Sequence, residues 1–350
     1  GARRARWQRT GVCGSGHHRP RPGGSTQRLR PQGLFCATAV LPLVAAGLAG
    51  ADATELPPPD DFFLPCDLPD AATVLLLRDD AQIGLQVFML RRHSDSAVLG
   101  GAYVFPGGKL DTADLEIDAS EYLDQSTDAL HQQLAEPEID LDKASGLFVA
   151  AVREAFEECG VLFAQSLHQR PVDVADVWRQ MREGFHLTDL LPVLQLQLKT
   201  QALVPWTRWI TPFKPSVMNK RFDTRFFLAA APQGQIAAHD NIEATESAWL
   251  SPRRALEDYW AGKIDLAPPQ IMSLVNLHHY NDVAHAMQSA RLRPPPTIQP
   301  EPFDDEGTRT ICYPGDPKHS LTERVMHGPT RLRFVNRRFE PVDGFQGFLN

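Results

Sequence analysis

The sequence predicts a globular protein of the mixed α/β class (α/β or α+β), and three observations support this. Short apolar runs bounded by Gly, Pro or Asp are typical of strands. Longer segments with apolar residues at helical spacing lie between them. The composition, 43% hydrophobic and 22% charged over 350 residues, is close to that of an average soluble protein. It excludes disordered chains, fibrous repeats and polytopic membrane proteins.

The first predicted elements are a β-hairpin and a third short strand. Residues 72–78 and 84–90 are apolar, and Asp79-Asp80 between them is a turn signal. Residues 102–105 predict another strand, which ends at Pro106-Gly107-Gly108. The order therefore favours a sheet that begins with antiparallel neighbours.

Helices dominate the middle of the chain. Residues 115–145 carry nine acidic residues and one Lys, and we interpret them as an acidic surface segment. Residues 146–163 are amphipathic and predict a helix that ends near Gly160, because Gly is common just beyond a helix C-terminus. The other predicted elements are helices at 171–202, 252–259 and 269–290, and strands at 206–210, 221–230, 248–250 and within 307–350.

These elements suggest one domain with two flanking segments. Residues 54–290 would form the domain, with an insertion at 115–145 and a helical segment at 165–203. Residues 291–350 are interpreted as a Pro-rich linker and a C-terminal extension. Residues 1–53, Arg-rich and then apolar, are interpreted as a leader or a mis-assigned extension outside the fold.

The charge distribution argues against nucleic acid as a partner. Residues 1–51 carry eight Arg and no acidic residue, so the net charge of −8 leaves −16 for residues 52–350. An acidic body repels a phosphate backbone. A small phosphorylated substrate remains compatible with this charge if metal ions mediate the contact.

The cysteines favour a reducing compartment. The five residues, at 13, 36, 66, 159 and 312, are odd in number and form no CxxC pair. A disulfide scaffold or a zinc site is therefore not expected. We interpret the protein as cytoplasmic, with a signal or transit sequence at residues 1–53 as the alternative. No stable membrane insertion is expected, because the apolar run at 34–50 is short and contains Pro and Gly.

One acidic helix face predicts the chemistry. Glu154, Glu157 and Glu158 are spaced i, i+3, i+4, so they share one face of the predicted helix. Their mutual repulsion is relieved if they surround a divalent cation, and oxygen ligands select Mg²⁺ or Mn²⁺. Arg153, four residues before Glu157, can orient a carboxylate by a charged hydrogen bond. A solvated acidic helix face is the alternative interpretation.

A Gly-rich segment lies upstream of this helix and strengthens the prediction. The predicted strand before Pro106 leads into Gly107-Gly108, which we interpret as a turn. A turn without side chains allows the backbone to approach a phosphate group closely.

Together the two segments resemble the Nudix box, whose pattern is Gly-x5-Glu-x7-Arg-Glu-apolar-x-Glu-Glu-x-Gly-apolar. Gly108 matches the first Gly, Asp114 stands at the first Glu, and residues 153–161 match the second half. Between Asp114 and Arg153 lie 38 residues instead of seven. This long separation resembles the split-box branch of the Nudix hydrolase family, which includes peroxisomal coenzyme A diphosphatases and bacterial relatives.

The resemblance implies an α/β/α sandwich with a mixed sheet and helical insertions. It also implies metal-dependent hydrolysis of a nucleoside diphosphate derivative, with coenzyme A or acyl-coenzyme A as the expected substrate and Mg²⁺ or Mn²⁺ as cofactor. Glu154, Glu157 and Glu158 would then be the metal ligands, and Arg153 would complete the catalytic set. Glu154 or another nearby Glu would activate the water, with Glu243 and Glu246 as candidates from a later loop.

Six residues are candidate substrate contacts under the same resemblance. They are Gly107, Gly108, Asp114, Arg91, Arg221 and Arg225. Two alternatives to coenzyme A hydrolysis remain open. One is hydrolysis of NADH, ADP-ribose or a nucleotide sugar, and the other is a non-catalytic Nudix-fold module that binds a ligand.

Overall fold

The computed structural model describes residues 68–93, 100–168, 170–212, 221–240 and 243–350, and the interpreted leader at 1–53 lies outside these ranges. The strands are β1 (Asp70–Asp80), β2 (Gly84–Arg92), β3 (Tyr103–Val104), β4 (Gly107–Lys109), β5 (Ala164–Ser166), β6 (Leu196–Leu198), β7 (Leu203–Ile210), β8 (Asp223–Ala230), β9 (Ala244–Leu250), β10 (Thr297–Ile298), β11 (Glu301–Asp305), β12 (Thr308–Cys312), β13 (Arg331–Val335) and β14 (Arg338–Pro341). The helices are α1 (Thr112–Leu115), α2 (Ala119–Tyr122), α3 (Thr127–Leu134), α4 (Leu141–Cys159), α5 (Val174–Arg182), α6 (Leu187–Leu194), α7 (Pro252–Trp260), α8 (Pro268–Leu277) and α9 (Val283–Arg291), with short 3₁₀ turns at Thr200–Ala202 and Gly344–Phe348.

A mixed sheet of eight strands forms the centre of the fold. Its order is β10-β7-β8-β1-β2-β3, with β4 also paired to β1 and β9 also paired to β2. The predicted hairpin is confirmed, since β1 and β2 pair antiparallel. Its turn is stabilised by the carboxylate of Asp80, which accepts hydrogen bonds from the backbone N–H groups of Gln82 and Ile83. β1 pairs parallel with β8, so the middle of the sheet joins segments distant in sequence.

Helices cover both faces of this sheet, which confirms the predicted mixed α/β class. Alternate residues of β1 and β2 enter different cores, as the two-residue period of a strand requires. Val74 and Phe88 pack with α3, α4, α5 and α6 on the first face. Leu75 and Val87 pack with α7, α8 and α9 on the second face. We call these the α4 face and the α8 face.

Helix α4 is the longest helix of the described chain segments and carries the acidic motif. It begins after Asp140, whose side chain accepts a hydrogen bond from the backbone of Lys143. It ends at Gly160, which adopts φ 68°, a conformation that glycine takes without steric cost. The predicted end is therefore confirmed, and the helix starts one turn earlier than the sequence indicated.

The C-terminal segment corrects the prediction of a linker and extension at 291–350. β10 extends the central sheet beside β7, and β11–β14 form a second, four-stranded antiparallel sheet. Ile311, Leu332, Phe339 and Phe348 are at most 1% exposed and belong to the core of the α8 face. These residues therefore complete the domain.

Three further segments differ from the prediction. Gly107 and Gly108 lie in β4, paired to β1, rather than in a turn. The acidic segment at 115–145 is not a solvated surface throughout, because Leu130, Leu134 and Glu136 are buried. The predicted helix at 171–202 is two helices followed by β6 and a 3₁₀ turn, and the one at 269–290 is broken into α8 and α9.

None of the helices in the described ranges is both long and apolar enough to cross a membrane. Cys159 and Cys312 are buried free thiols. The other three cysteines lie outside the described residues.

Candidate active site

The acidic motif forms one compact cluster in the C-terminal half of α4. Arg153, Glu154 and Glu158 are buried beneath strand β4, with 1%, 2% and 7% of their surface exposed, whereas the Glu157 side chain is 22% exposed. Burying so many charges is costly unless they are paired or bind a cation. The sequence-predicted carboxylates and their arginine are therefore brought together as expected.

Arg153 is the organising cation of the cluster. An arginine has five N–H donors, and each of the three nitrogen atoms of this guanidinium is engaged. Nε and Nη2 donate to the two carboxylate oxygens of Asp114, at 2.9 and 2.8 Å. Nη1 donates to Glu154 and Glu157, and Nη2 also donates to the backbone carbonyl of Lys109. Arg153 therefore orients carboxylates and has no donor left for a substrate.

Asp114 has a different role from the substrate contact that the sequence predicted. Asp114 is 1% exposed, and both of its carboxylate oxygens accept hydrogen bonds from Arg153. Its Oδ2 also accepts a hydrogen bond from the backbone N–H of Asp111, just before α1. A carboxylate enclosed in this way cannot reach a ligand. The acid in the first half of the split motif thus holds the arginine of the second half across the insertion.

Strand β4 lies so close to α4 at Gly108, and to β1 at Gly107, that only glycine fits at these two positions. A Cβ at Gly108 would lie 2.6 Å from Oε2 of Glu154 and closer still to the rest of that carboxylate. A Cβ at Gly107 would lie 2.6 Å from the hydroxyl oxygen of Thr73. The backbone N–H of Gly107 donates to Oε2 of Glu158 at 2.9 Å. The two glycines therefore act in the structure by admitting and holding the carboxylates.

Two carboxylates of α4, Glu154 and Glu158, have raised pKa values. Burial raises the pKa of Glu154 to about 8; Arg153 opposes this rise, and Glu157 adds to it. Burial also raises the pKa of Glu158 well above its usual range, and the charges of Glu154 and Glu243 raise it further. The hydrogen bond from Gly107 and the charge of Arg92 act in the opposite direction. The protein alone thus leaves negative charge here incompletely compensated.

The donor set fits a divalent cation. Glu154 Oε2 is buried without a hydrogen-bond partner, and carboxylate oxygens are the ligands that Mg²⁺ and Mn²⁺ prefer. Among the residues that the structure describes, no three acidic, His or Cys side chains stand together in ready metal-binding geometry. The fit therefore rests on the orphaned oxygen and on the chemistry of the donors.

Two arginines predicted as substrate contacts form hydrogen bonds with protein groups in the structure, and only Arg225 is fully enclosed by them. Arg225 is 2% exposed, and its guanidinium donates hydrogen bonds to Glu136, to Asp70 and to the backbone carbonyl of Asp223. It therefore joins the insertion to the sheet. Arg221 is part-buried and donates to the carbonyl oxygen of Thr211 through Nε and Nη2.

Arg91 points away from the acidic cluster. It lies opposite Tyr103 and Glu246 in the sheet, and it forms an ion pair of 3.2 Å with Glu246, both side chains being half exposed. Tyr103 belongs to the core of the α8 face. Arg91 and Glu246 thus lie on the face opposite α4, which removes the first as a substrate contact and the second as a base. Glu243, by contrast, acts electrostatically on Glu158.

Comparison with known proteins agrees with this geometry. Residues 68–277 match the family model described as the NUDT19 Nudix domain. The curated acyl-coenzyme A diphosphatase NUDT19 of Xenopus laevis is 29% identical over 229 residues, which cover 56% of this chain and 60% of that protein. The match thus spans less than two thirds of the relative's length. The putative nudix hydrolase 7 of Caenorhabditis elegans is 25% identical over 252 residues, covering 72% of this chain and 75% of that protein.

A solved structure shows the same architecture. The crystal structure of a NUDIX hydrolase from Alicyclobacillus acidocaldarius superposes with a TM-score of 0.53 and 26% identity, covering 64% of this chain and 97% of that one. The mixed sheet, the buried acidic helix and the family match, which covers more than half of the chain, lead to one conclusion: this chain belongs to the Nudix hydrolase family, in the group defined by the NUDT19 Nudix domain.

Proposed function

We propose that this protein hydrolyses the diphosphate linkage of coenzyme A or acyl-coenzyme A with the help of Mg²⁺ or Mn²⁺. The observation that carries the chemistry is the undercompensated carboxylate cluster beneath Gly107-Gly108, formed by the buried Glu154 and Glu158 and the partly exposed Glu157. The substrate class is supported by the similarity to relatives named acyl-coenzyme A diphosphatase.

The three glutamates would hold the metal ions. When bound, such ions neutralise the charge of the diphosphate and stabilise the leaving oxygen. Arg153 fixes the orientation of Glu154 and Glu157 through Nη1, and Gly107 fixes Glu158 through its N–H group. These hydrogen bonds prepare the carboxylates before a ligand arrives, which lowers the cost of assembling the site.

In the reaction, a water oxygen forms a bond to one phosphorus and the bridging P–O bond breaks. The proton of the water passes to a carboxylate, and the departing phosphate carries the electron pair of the broken bond. Two residues are candidates for the base: Glu154, which has a buried unpartnered oxygen, and Glu243, whose charge acts on Glu158. From coenzyme A the products would be phosphopantetheine and adenosine 3′,5′-bisphosphate.

The test is a phosphate-release assay with coupled phosphatase in Mg²⁺ and in Mn²⁺. The substrates are coenzyme A, short and long acyl-coenzyme A, NADH, ADP-ribose and a nucleotide sugar. Glu158→Gln changes one charge in the cluster and should abolish turnover, whereas Glu246→Gln, on the α8 face, should retain it. Preference for NADH, ADP-ribose or a nucleotide sugar would keep the chemistry and reject the substrate.

A folded wild-type protein without turnover on any substrate would reject the enzymatic proposal in favour of a binding module. Wild-type turnover in Glu158→Gln would reject the assignment of the cluster as the catalytic centre.

A further inference from the structure

A segment of five residues lies across the C-terminal part of helix α8. It comprises residues 324–328, in the connection between β12 and β13, and we call it the strap. Asn276 of α8 accepts the backbone N–H of His327 at 3.0 Å. Val325 and Met326 pack against the core of the α8 face. The strap therefore covers apolar surface that would otherwise face solvent.

The strap fits closely on α8 at one position. Gly328 has a φ of 84°, which glycine adopts without steric cost, and a Cβ there would collide with Cγ1 of Val275. The base of the connection is closed separately, because Tyr313 donates its backbone N–H to the carbonyl oxygen of Thr330 at 2.8 Å. The strap can thus leave α8 without separating β12 from β13.

Two histidine rings meet where the strap reaches the end of α8. The ring centroids of His279 and His327 are 4.5 Å apart, with an angle of 34° between the ring planes. The ring of His278 follows, with its centroid 5.8 Å from that of His279. Nε2 of His279 is buried and has no hydrogen-bond partner in the described part of the chain. A buried ring nitrogen without a partner is far more costly in a charged ring than in a neutral one.

The charges around these rings disfavour protonation. Burial lowers the pKa of His279, and His327, His278 and Arg324 lower it further. The guanidinium of Arg324 is held within the strap, since it donates to two carbonyl oxygens of the same segment. A fixed positive charge therefore accompanies the two rings while the strap is closed.

Helix α7 adds little negative charge to this group. Burial lowers the pKa of His278, Arg253 of α7 lowers it further, and Glu257 of α7 opposes both. Glu257 is itself paired with Arg253 at 2.9 Å. The surroundings therefore offer only weak compensation for a pair of charged imidazoles.

We propose that the strap is an acid-sensitive closure, which lies on α8 while His279 and His327 are neutral and opens when both rings are protonated. Two charged rings at this separation repel each other, and the repulsion falls when water enters between them. Opening also gives the buried nitrogen of His279 access to solvent. It exposes Val325 and Met326, so mild acid uncovers an apolar patch. This inference does not depend on the proposed function.

The direction of the pH dependence follows from the lowered pKa. The closed state favours the neutral ring of His279, so its stability is fully present above the ordinary pKa of histidine, about 6.5. Stability of the closed state is lost as the pH falls through that value towards the lowered one. A contact that served only to pack two rings together would lack this dependence.

The experiment measures local opening by hydrogen exchange of the full chain between about pH 7.5 and about pH 5.5. Mass spectrometry of peptides from residues 324–328 reports on the strap, after correction for the intrinsic pH dependence of exchange. Peptides from β13 show whether the change is local. The variants His279→Phe and His327→Phe keep a ring and lose its titratable nitrogens. The matched control is His285→Phe, on α9, where the ring packs on Tyr280.

Opening of the wild-type strap should increase over this range by roughly tenfold for each unit by which closure lowers the pKa of the pair. It should become insensitive to pH in His279→Phe and in His327→Phe, since each variant leaves a single ring to be charged. His285→Phe should behave as wild type. His327→Gln, which replaces an exposed side chain, serves as the second variant if a Phe variant does not fold.

Three results would overturn the proposal. The first is a strap whose corrected exchange does not change with pH in the wild-type protein. The second is a wild-type pH response that persists in folded His279→Phe together with His327→Phe or His327→Gln. The third is an equal response in the β13 peptides, which would assign the change to unfolding of the whole domain.

Discussion

Two arginine clusters on the same side of the sheet differ in the balance of positive and negative charge. Around Arg225 and Arg208, the acids Glu136, Asp223 and Asp70 are all engaged in ion pairs. Around Arg153 there are Asp114, Glu154 and Glu157, with Glu158 on the next turn. One cluster has nearly equal numbers of positive and negative groups, and the other has one arginine for several carboxylates.

The difference teaches how to tell a structural cluster from a functional one. In the balanced cluster each buried charge has a partner, which is the arrangement that a folded chain needs for stability. In the acidic cluster one carboxylate oxygen has no partner, and burial raises the pKa of Glu154 and Glu158. An excess of buried carboxylates over cations is not required for folding, so it indicates a site prepared for a ligand.

The largest effect should come from breaking the balanced cluster. Arg225→Ala leaves Glu136 and Asp70 without their main partner in a buried site, so the free energy of unfolding should fall by about 3–5 kcal/mol. Denaturant unfolding followed by circular dichroism measures this loss. Arg253→Ala, which removes an exposed ion pair with Glu257 on α7, is the control and should cost about 1 kcal/mol or less. Equal losses in the two variants would contradict the comparison.

The acidic cluster should respond in the opposite way. Glu158→Gln removes a buried charge whose pKa is raised, so stability should not fall, whereas turnover should drop by more than the roughly 10–100-fold typical of residues that only support metal ligands. Steady-state kinetics and thermal unfolding on the same preparation provide the two values. A variant that loses stability but keeps turnover would place Glu158 with the structural cluster.

A smaller effect should follow from adding one methyl group between the strand and the helix. Gly108→Ala forces its Cβ against the Glu154 carboxylate, which must then move. We expect turnover to fall by roughly tenfold or more, because small displacements of a catalytic group are costly. Metal-dependent kinetics test this expectation. Gly234→Ala is a useful contrast: its Cβ would meet no atom within 4 Å, though its φ of 83° also strains the backbone. Equal kinetics in Gly108→Ala and wild type would show that the close packing is not required.

The smallest effect concerns acid sensitivity, and it extends the comparison to a third carboxylate. Hydrogen bonds and the charge of Arg331 hold the pKa of Asp316 below its usual value, against the opposing effect of burial. A lowered folded-state pKa contributes stability above the ordinary value of an aspartate, and this contribution is lost as the pH falls through the folded value. We expect wild type to lose about 1 kcal/mol more than Asp316→Asn as the pH falls from roughly 5 to 2. Parallel pH profiles of unfolding for the two proteins would exclude this contribution.

Local features of the fold were predictable from the sequence. The β1–β2 turn at Asp80 and the end of α4 at Gly160 depend on residues close in the chain, so their patterns sufficed. The parallel pairing of β1 with β8 and the C-terminal sheet depend on contacts between distant segments. Pro-rich composition suggested a linker at 291–350, but the apolar residues of that segment are paired in strands and buried.

The site was predictable to the same extent. Helical spacing placed Glu154, Glu157 and Glu158 on one face, which the structure shows. Arg225 and Asp114 were interpreted as substrate contacts. The sequence does not reveal that each of them forms a buried ion pair within the protein, Arg225 with Glu136 and Asp114 with Arg153. The register shift between β2 and β9 at Arg91 and Arg92 is visible only in three dimensions.

The parallel pairing of β1 with β8 has a consequence for synthesis of the protein. The acidic motif is complete once residue 161 has been made, but the parallel neighbour of β1, strand β8, begins only at Asp223. The core of the α8 face waits longer, until Phe348 has been made. A nascent chain therefore exposes the apolar surfaces of β1 and α4 over many added residues before either face can close, and contacts of such long range slow folding. We expect the growing polypeptide to depend on chaperone protection on the ribosome until β8 and the C-terminal sheet β11–β14 have emerged.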